Sequence, residues 1–306
     1  MDSSIYIGFD GGGSTSRFLV KRGDKDPEMH SFPLNLKYTD LGIEASAKGF
    51  VKCLGELLQE DISSLNAMCI SLSGASNEAM NNQFADALRK ELNLPMLRLH
   101  VESDSSFALL TAYPDDRSGM LLIAGTGSVA IAKKTNGEIV KVGGWGRILG
   151  DEGSGYWIGL QAVKHYCKAL DGIDERDHLF AAVEEKLQNE GAVDLGILRT
   201  KLYGHEMKMQ EYAPLVFDAH SEDPAAEDIL FEAAIKLSLE IESLLKKVEG
   251  KCEPIIALYG GIACQPFIAR SIESNCSSSG LRFEKLIEDN ILQRALEISM
   301  SLVLSD

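Results

Sequence analysis

Residues 5–10, IYIGFD, make an apolar run of strand length that ends on an acid, and the glycines after it turn the chain. SRFLVKR and EMHSF then predict two short strands joined across GDKDP. From residue 41 the period changes: Ile43, Ala47, Phe50, Val51, Leu54, Leu57 and Leu58 recur at helical spacing. The strand AMCISLSG, a helix over 77–92, the strand LRLHVES and a short helix over 104–113 complete this half. A three-strand meander followed by β-α-β-α predicts a mixed sheet with helices on its faces.

After PDDRSG the opening repeats. MLLIAGTGS is another apolar strand running into a glycine turn, and VAIAKKTNGEIVKVGGW is a hairpin with Asn136-Gly137 as its type I′ turn. A helical stretch over roughly 156–248, the strand IIALYGG and further helix to the end follow. The chain thus carries a weak internal duplication of strand, glycine turn and hairpin, with a domain boundary near residues 115–119. Its 306 residues suffice for two cores.

Composition narrows the function classes. At 45% hydrophobic and 25% charged residues the chain has the make-up of a soluble globular protein, and no apolar run approaches the ~20 residues of a membrane span. The opening MDSSIYIGFDGGG has no basic stretch before its apolar run and reads as a strand, not a signal peptide. A net charge of −16 argues against nucleic acid and against an anionic membrane as partners. Any phosphate must therefore be held by backbone amides, a metal or a few local cations. Cys53, Cys69, Cys167, Cys252, Cys264 and Cys276 are scattered without a C-x-x-C pair, as for buried thiols of a reducing cytoplasm, and the histidines show no metal spacing.

Against that background GFDGGGS and AGTGS stand out. Each is a strand running into glycines and a hydroxyl, and such turns present free backbone N–H groups that bind anions without Lys or Arg. Neither is a G-x-x-x-x-G-K-[ST] loop or a G-x-G-x-x-G turn. Together they read as two jaws of a phosphate clamp. Asp10, at the tip of the first strand, is either a turn aspartate or the carboxylate near a phosphate-bound Mg²⁺. Asp104 is either a helix N-cap, with Ser103 competing, or a general base. In residues 142–163 the glycines Gly143, Gly144, Gly146, Gly150, Gly153 and Gly155 surround Asp151 and Glu152 ahead of a helix. Capping explains one or two of them; the rest let the backbone approach something closely. Trp145 is either a core residue or a wall of that site.

GFDGGGS, LSLSGAS, ESDSSFALL, IAGTGS, GGWGRILGDEGSGYWIG and LYGGIA occur here in the order found in N-acetylglucosamine kinases. The chain therefore resembles that group, which stands with the benzoyl-CoA-reductase-type (BadF/BadG/BcrA/BcrD) ATPase subunits in one branch of the actin-like, hexokinase-like ATPases. The resemblance spans nearly the whole chain, and GGWGRILGDEGSGYWIG is its most specific element. It implies two α/β, ribonuclease H-like domains with mixed five-stranded sheets and a nucleotide cleft between them. The first would cover 1–116 and be completed by the C-terminal helix, about 287–306. The second would cover 117–286 and carry the sugar loop and dimer-type helices.

The resemblance further implies an ATP- and Mg²⁺-dependent cytoplasmic kinase, a homodimer, acting on the 6-hydroxyl of N-acetylglucosamine or glucosamine. Gly12, Gly13 and Ser14 would hold the ATP phosphates, with Thr126 and Gly127 on the opposite jaw and Gly260 and Gly261 against the adenosine. Asp10 would reach Mg²⁺ through water. Asp104 would be the base, and Asn35, Ser128, Gly144, Trp145, Gly146 and Asp151 would contact the sugar, with Glu152 a further acceptor. PLNLKYTD around Asn35 departs from the small-residue pattern of the group. Two other readings compete: an activator ATPase of a CoA-linked reductase or dehydratase, and a non-catalytic sugar sensor. The first needs closely placed cluster cysteines and no sugar loop. The second fits poorly with the acidic balance and with Asp104.

Overall fold

The computed structural model describes residues 4–11, 15–114, 117–192, 194–204, 206–285 and 289–304. The chain divides into two compact units, Met1–Pro114 with Ile287–Asp306, and Asp115–Leu286.

In the first unit β1 (Ile5–Gly11), β2 (Ser16–Arg22) and β3 (Glu28–Phe32) form the antiparallel meander. Helices α1 (Tyr38–Leu41) and α2 (Ile43–Leu58) lead to β4 (Leu65–Leu72), α3 (Glu78–Leu92), β5 (Arg98–Ser103) and α4 (Asp104–Ala112). The sheet order is β3-β2-β1-β4-β5, with β1, β4 and β5 parallel. Alternation along β1 buries Ile5, Ile7 and Phe9. Phe9 meets Phe18 at a ring-centroid distance of 4.7 Å and Phe50 of α2 at 4.6 Å, and Phe84 of α3 extends the cluster. Gly8 points to the other face. A Cβ there would lie 2.5 Å from the backbone nitrogen of Leu296, so glycine is what lets a C-terminal helix lie directly on β1.

The second unit repeats the wiring. β6 (Gly119–Ala124), β7 (Ser128–Lys133) and β8 (Ile139–Gly143) form its meander. After α5 (Gly155–Leu170), α6 (His178–Asn189), α7 (Leu195–Tyr203), α8 (Ala213–Ala219) and α9 (Pro224–Val248) come β9 (Ile255–Tyr259), α10 (Pro266–Asn275) and β10 (Arg282–Lys285), and α11 (Asp289–Leu304) returns to the first unit. The order β10-β9-β6-β7-β8 matches the first sheet strand for strand. Leu122, Ala124, Ala130 and Ala132 pack with Ile158 of α5 and with Leu230, Ala234, Leu237 and Ile241 of α9.

Three sequence expectations are corrected. Among the described residues the helical stretch at 156–248 is five α-helices: Asp177, Asp194 and Asp223 each accept an amide that starts one, and α8 follows a 3-10 turn with Pro214 in its first turn. The helix expected throughout the segment after β9 is interrupted by β10, a four-residue edge strand whose Phe283 is its one apolar residue, too short and polar to announce itself. The turn at Asn136-Gly137 closes the hairpin, but only Gly137 has positive φ (83°), so it is not type I′. Gly137 N–H donates to the Lys134 carbonyl at 2.9 Å and Asn136 Oδ1 accepts from Glu138 N at 3.1 Å, a type I turn with a left-handed glycine after it.

Asp223 joins two helices. It is 2% exposed, its Oδ1 accepts from Ala225 N and Ala226 N at 3.0 and 3.1 Å, and its Oδ2 accepts from Leu179 N at 2.8 Å. Asp223→Ala orphans these amides and should cost about 2–3 kcal/mol in urea unfolding, with Asp223→Asn costing less because it keeps an acceptor. Equal stability of the alanine variant and the parent would show that the helices are held elsewhere.

Candidate active site

The first unit gathers its polar groups where parallel strands end. Asp10 pairs in register with Ser71, and Leu72 with Ser103, so the C-terminal ends of β1, β4 and β5 form one edge. Asp10 Oδ2 takes Arg17 Nη2 at 2.6 Å and its Oδ1 accepts from Ser71 Oγ at 3.2 Å. Oδ2 is thus committed to a cation, and Oδ1, which accepts from a neutral hydroxyl, is the oxygen that could accept from the water shell of a hard divalent ion.

At β5 the contest for the N-cap is decided. Ser103 Oγ accepts from Ser106 N at 3.2 Å and caps α4. Asp104 is therefore relieved of capping. Its Oδ1 accepts from Ser105 N at 2.8 Å, and the Ser73 hydroxyl donates to the same carboxylate. Burial pushes its pKa above the ordinary carboxylate range, the two donors and Lys37 oppose that rise, and the charge of Asp10 adds to it. Desolvation of this kind makes a carboxylate a better proton acceptor.

Asn35 lies on a braced loop. Ser16 Oγ donates to the Leu34 carbonyl at 2.9 Å, and Ser46 Oγ donates to the Leu36 carbonyl. Asn35 Nδ2 donates to Asp40 Oδ2 and its Oδ1 accepts from Lys37 N, both at 2.8 Å. Lys37 links this loop electrostatically to Asp104. Gly12, Gly13 and Ser14, expected to hold phosphate, lie outside the described residues.

The second unit builds its site on the turn between β6 and β7. Gly155 N donates to Gly125 O at 2.7 Å and Tyr156 N to Thr126 O at 3.1 Å, so the turn is locked to the first residues of α5. Thr126 is exposed beside it. At the end of β9, Gly260 has φ 98° and lies so close to Ala124 that a Cβ would meet its carbonyl at 2.5 Å. Gly261 faces open space and lines a cavity of about 650 Å³ with Gly125, Thr126, Gly155, Phe217 and Phe267. The cavity lining joins glycine backbone and two phenylalanine rings with the polar groups of Gln210, Asp218, Gln265 and Arg270, a mixture suited to a planar heterocycle that carries polar edges.

Segment 143–153 answers why the glycines are so dense. The backbone approaches α9: a Cβ at Gly153 would be 2.6 Å from Ala233 O, and one at Gly143 would be 2.5 Å from Glu240 Oε1. Asp151 itself has φ 56°, a left-handed conformation that Asp tolerates better than most side chains. Its Oδ1 accepts from Ser128 N at 3.3 Å, and the amide of Gly146 donates to the same carboxylate. Burial raises its pKa while those amides oppose the rise. Ser128 is buried and joins the pieces, since its carbonyl also accepts from Gly144 N at 3.0 Å. Glu152 turns its side chain to Lys236 at 3.5 Å and is exposed. Trp145 is 73% exposed, which excludes the core reading, and Ile148 and Leu149 are exposed with it.

The sequence reading missed Glu240, which faces Ser128 from α9. The signal was present: an acid inside LSLEIESLL, at a position whose neighbours Leu237, Ile241 and Leu244 are all buried. Ser71 and Ser73 were missed because nothing local distinguishes them from other strand-end serines.

The chain is similar to known proteins over most of its length. The model of the BadF/BadG/BcrA/BcrD ATPase family matches residues 7–285. The chain is 29% identical to the N-acetylmuramic acid/N-acetylglucosamine kinase of Clostridium acetobutylicum, over 83% of this chain and 84% of that one. It is 28% identical to the N-acetyl-D-glucosamine kinase of Dictyostelium discoideum, over 81% of each chain. Among solved structures, a Chromobacterium violaceum protein provisionally described as an N-acetylglucosamine kinase superposes with a TM-score of 0.72 at 24% identity, covering 97% of this chain and 99% of that one. The two-unit α/β architecture is thus that of the sugar-kinase ATPase fold.

Gly127 is constrained from a direction the sequence did not indicate. A Cβ there would stand 2.8 Å from Asp151 Oδ2. Gly127→Ala should therefore cost about 1–3 kcal/mol in urea unfolding, and much less in an Asp151→Ala background. Equal costs in both backgrounds would mean that the two residues do not press on each other.

Proposed function

This chain belongs to the BadF/BadG/BcrA/BcrD ATPase family, and from that premise we propose that it is an ATP-dependent amino-sugar kinase, transferring the γ-phosphoryl group of ATP to the 6-hydroxyl of N-acetylglucosamine or glucosamine. The observation that carries this reading is Asp104: a carboxylate at a strand–helix junction, freed from capping by Ser103 and made more basic by burial.

Both units contribute, residues 1–116 with the C-terminal helix as one ATPase-fold domain and 117–286 as the other. Phosphoryl transfer asks little covalent work of the protein; it asks for position and charge control. The sugar hydroxyl gives its proton to Asp104 as its oxygen attacks the γ-phosphorus, and the bond to the β,γ-bridging oxygen breaks to release ADP. Mg²⁺, held through water near Asp10, would neutralise charge on the phosphate oxygens. Thr126 and Gly127, with Gly12, Gly13 and Ser14, take the phosphates, and Gly261 with Gly260 beneath it takes the adenosine in the 650 Å³ cavity. A net charge of −16 makes neutral backbone donors the natural grip on a triphosphate.

Asn35, Ser128, Gly144, Trp145, Gly146 and Asp151 contact the sugar. Asp151 has a lone pair left for a hydroxyl after its two amides, and exposed Trp145 offers an apolar wall to the ring or its N-acyl group. We place the protein in the cytoplasm, where ATP is available; among the described residues no helix is long and apolar enough to cross a membrane. Phe231, Ile235 and Leu239, each 46–51% exposed at four-residue intervals on α9, support a homodimer through that face.

In a coupled ADP-release assay with a panel of amino sugars, Asp104→Asn should lower kcat by about 10² or more and leave both KM values within a few-fold. The parent's kcat/KM should fall on acidification at a pH above the usual carboxylate range, because the base must be ionised to accept the proton. Near-parental turnover of Asp104→Asn would end the assignment.

A further inference from the structure

One buried group lies outside this account. Glu240 rises from α9 toward the segment that carries Asp151, and Oε2 of its carboxyl is buried with no hydrogen-bond partner among the described residues. Its Oε1 lies 3.3 Å from Ser128 Oγ. Ser128 Oγ also lies 3.1 Å from the Glu152 carbonyl. A serine hydroxyl has one proton, and a carbonyl can only accept. If Ser128 donates to Glu152 O, the second contact needs a proton from Glu240.

The surroundings set the same requirement. Asp151 and Glu152 are the acids that face Glu240 from the loop. Lys236, one turn back on α9, is ion-paired to Glu152. From β8 and the far end of α9, Lys141 and Lys247 meet through a backbone contact: Lys247 Nζ donates to the Lys141 carbonyl. From β7 comes Ser128, which is neutral. Gly143 lies close enough that a Cβ there would stand 2.5 Å from Glu240 Oε1, so the backbone itself walls this side of the carboxyl.

We propose that Glu240 is a positioning residue of the sugar corner: as a neutral acid it donates to Ser128, which in turn fixes the carboxylate of Asp151 through its backbone N–H. This rests on the amino-sugar reading of Asp151. Burial, with the charges of Asp151 and Glu152, pushes the pKa of Glu240 up to about 8, so it keeps its proton at neutral pH. Above that pH the donor is lost and three carboxylates crowd one corner. The grip on Asp151 then loosens, and with it the affinity for sugar.

Two measurements test this. The first is the KM for N-acetylglucosamine from pH 6.5 to 9.5. The parent should show a rise of about tenfold through pH 8 with a smaller change in kcat. Glu240→Gln, whose amide donates as the neutral acid does, should abolish the rise and hold the neutral-pH KM. Glu240→Ala should show a KM raised about tenfold at every pH. An alkaline limb that survives in Glu240→Gln, or a parental KM in Glu240→Ala, would overturn the proposal.

The second measurement needs no substrate. An acid whose folded-state pKa is raised loses stability as pH climbs from its unfolded pKa to its folded one. The Tm of Glu240→Gln should therefore gain on that of the parent between pH 5 and pH 8 and then hold level. A constant Tm difference would sink the assignment of a proton to Glu240. A parent that turned over no amino sugar would sink the kinase reading instead, so the two failures are separable.

Discussion

Ser128 is the residue on which the second unit's site depends. Its N–H is committed to Asp151, its carbonyl to Gly144, and its hydroxyl to Glu152 and Glu240. It sits at the first position of β7, so the rigidity of a five-stranded sheet passes directly into an otherwise irregular loop. The loop gains definition at both ends: the β6–β7 turn is tied to α5, and Gly143 and Gly153 lie against α9. A carboxylate held by backbone amides on such a frame changes little when a ligand arrives, which is what recognition of a hydroxyl requires.

The two units share one wiring and differ in what they place at the strand ends. In the first, parallel register delivers acids and serines to one edge: Asp10, Ser71, Ser73 and Asp104. In the second, the equivalent edge delivers glycines and small residues, Gly125 and Gly127 from one strand end and Gly260 and Gly261 from the other, beside the aromatic-walled cavity. In the function proposed above, the acidic edge would handle protons and a metal ion, and the glycine edge would lay backbone against a nucleotide and a sugar. A single internal duplication accounts for the shared topology, and the two units differ in the residues at their strand ends.

Much of this was legible in the sequence. Period-2 burial in IYIGFD, the helical spacing through Phe50 and Leu54, and the recurrence of strand, glycine turn and hairpin all reflect local physics and appear in the structure as strands β1, β6 and β7 and helix α2. β10 was illegible because an edge strand of four residues buries too little to leave a pattern. The breaks within 155–248 were signalled by aspartates that cap helices, but an aspartate in a helical run is as often a surface charge. Glu240 and Ser73 act through tertiary contacts that no spacing rule reaches. The glycine density of segment 143–153 predicts room for a ligand; the structure adds that Gly143 and Gly153 make room for the protein's own helix α9.

The central claim is that this protein moves a phosphoryl group to a particular oxygen of an amino sugar. The direct measurement is to incubate it with ATP, Mg²⁺ and N-acetylglucosamine or glucosamine and to locate the product phosphate by ³¹P–¹H correlation NMR. Transfer to the 6-hydroxyl predicts phosphorus coupled to the C6 protons, with one ADP formed for each sugar phosphate. Phosphate on another carbon, or ADP released at the same rate with and without sugar, would contradict it.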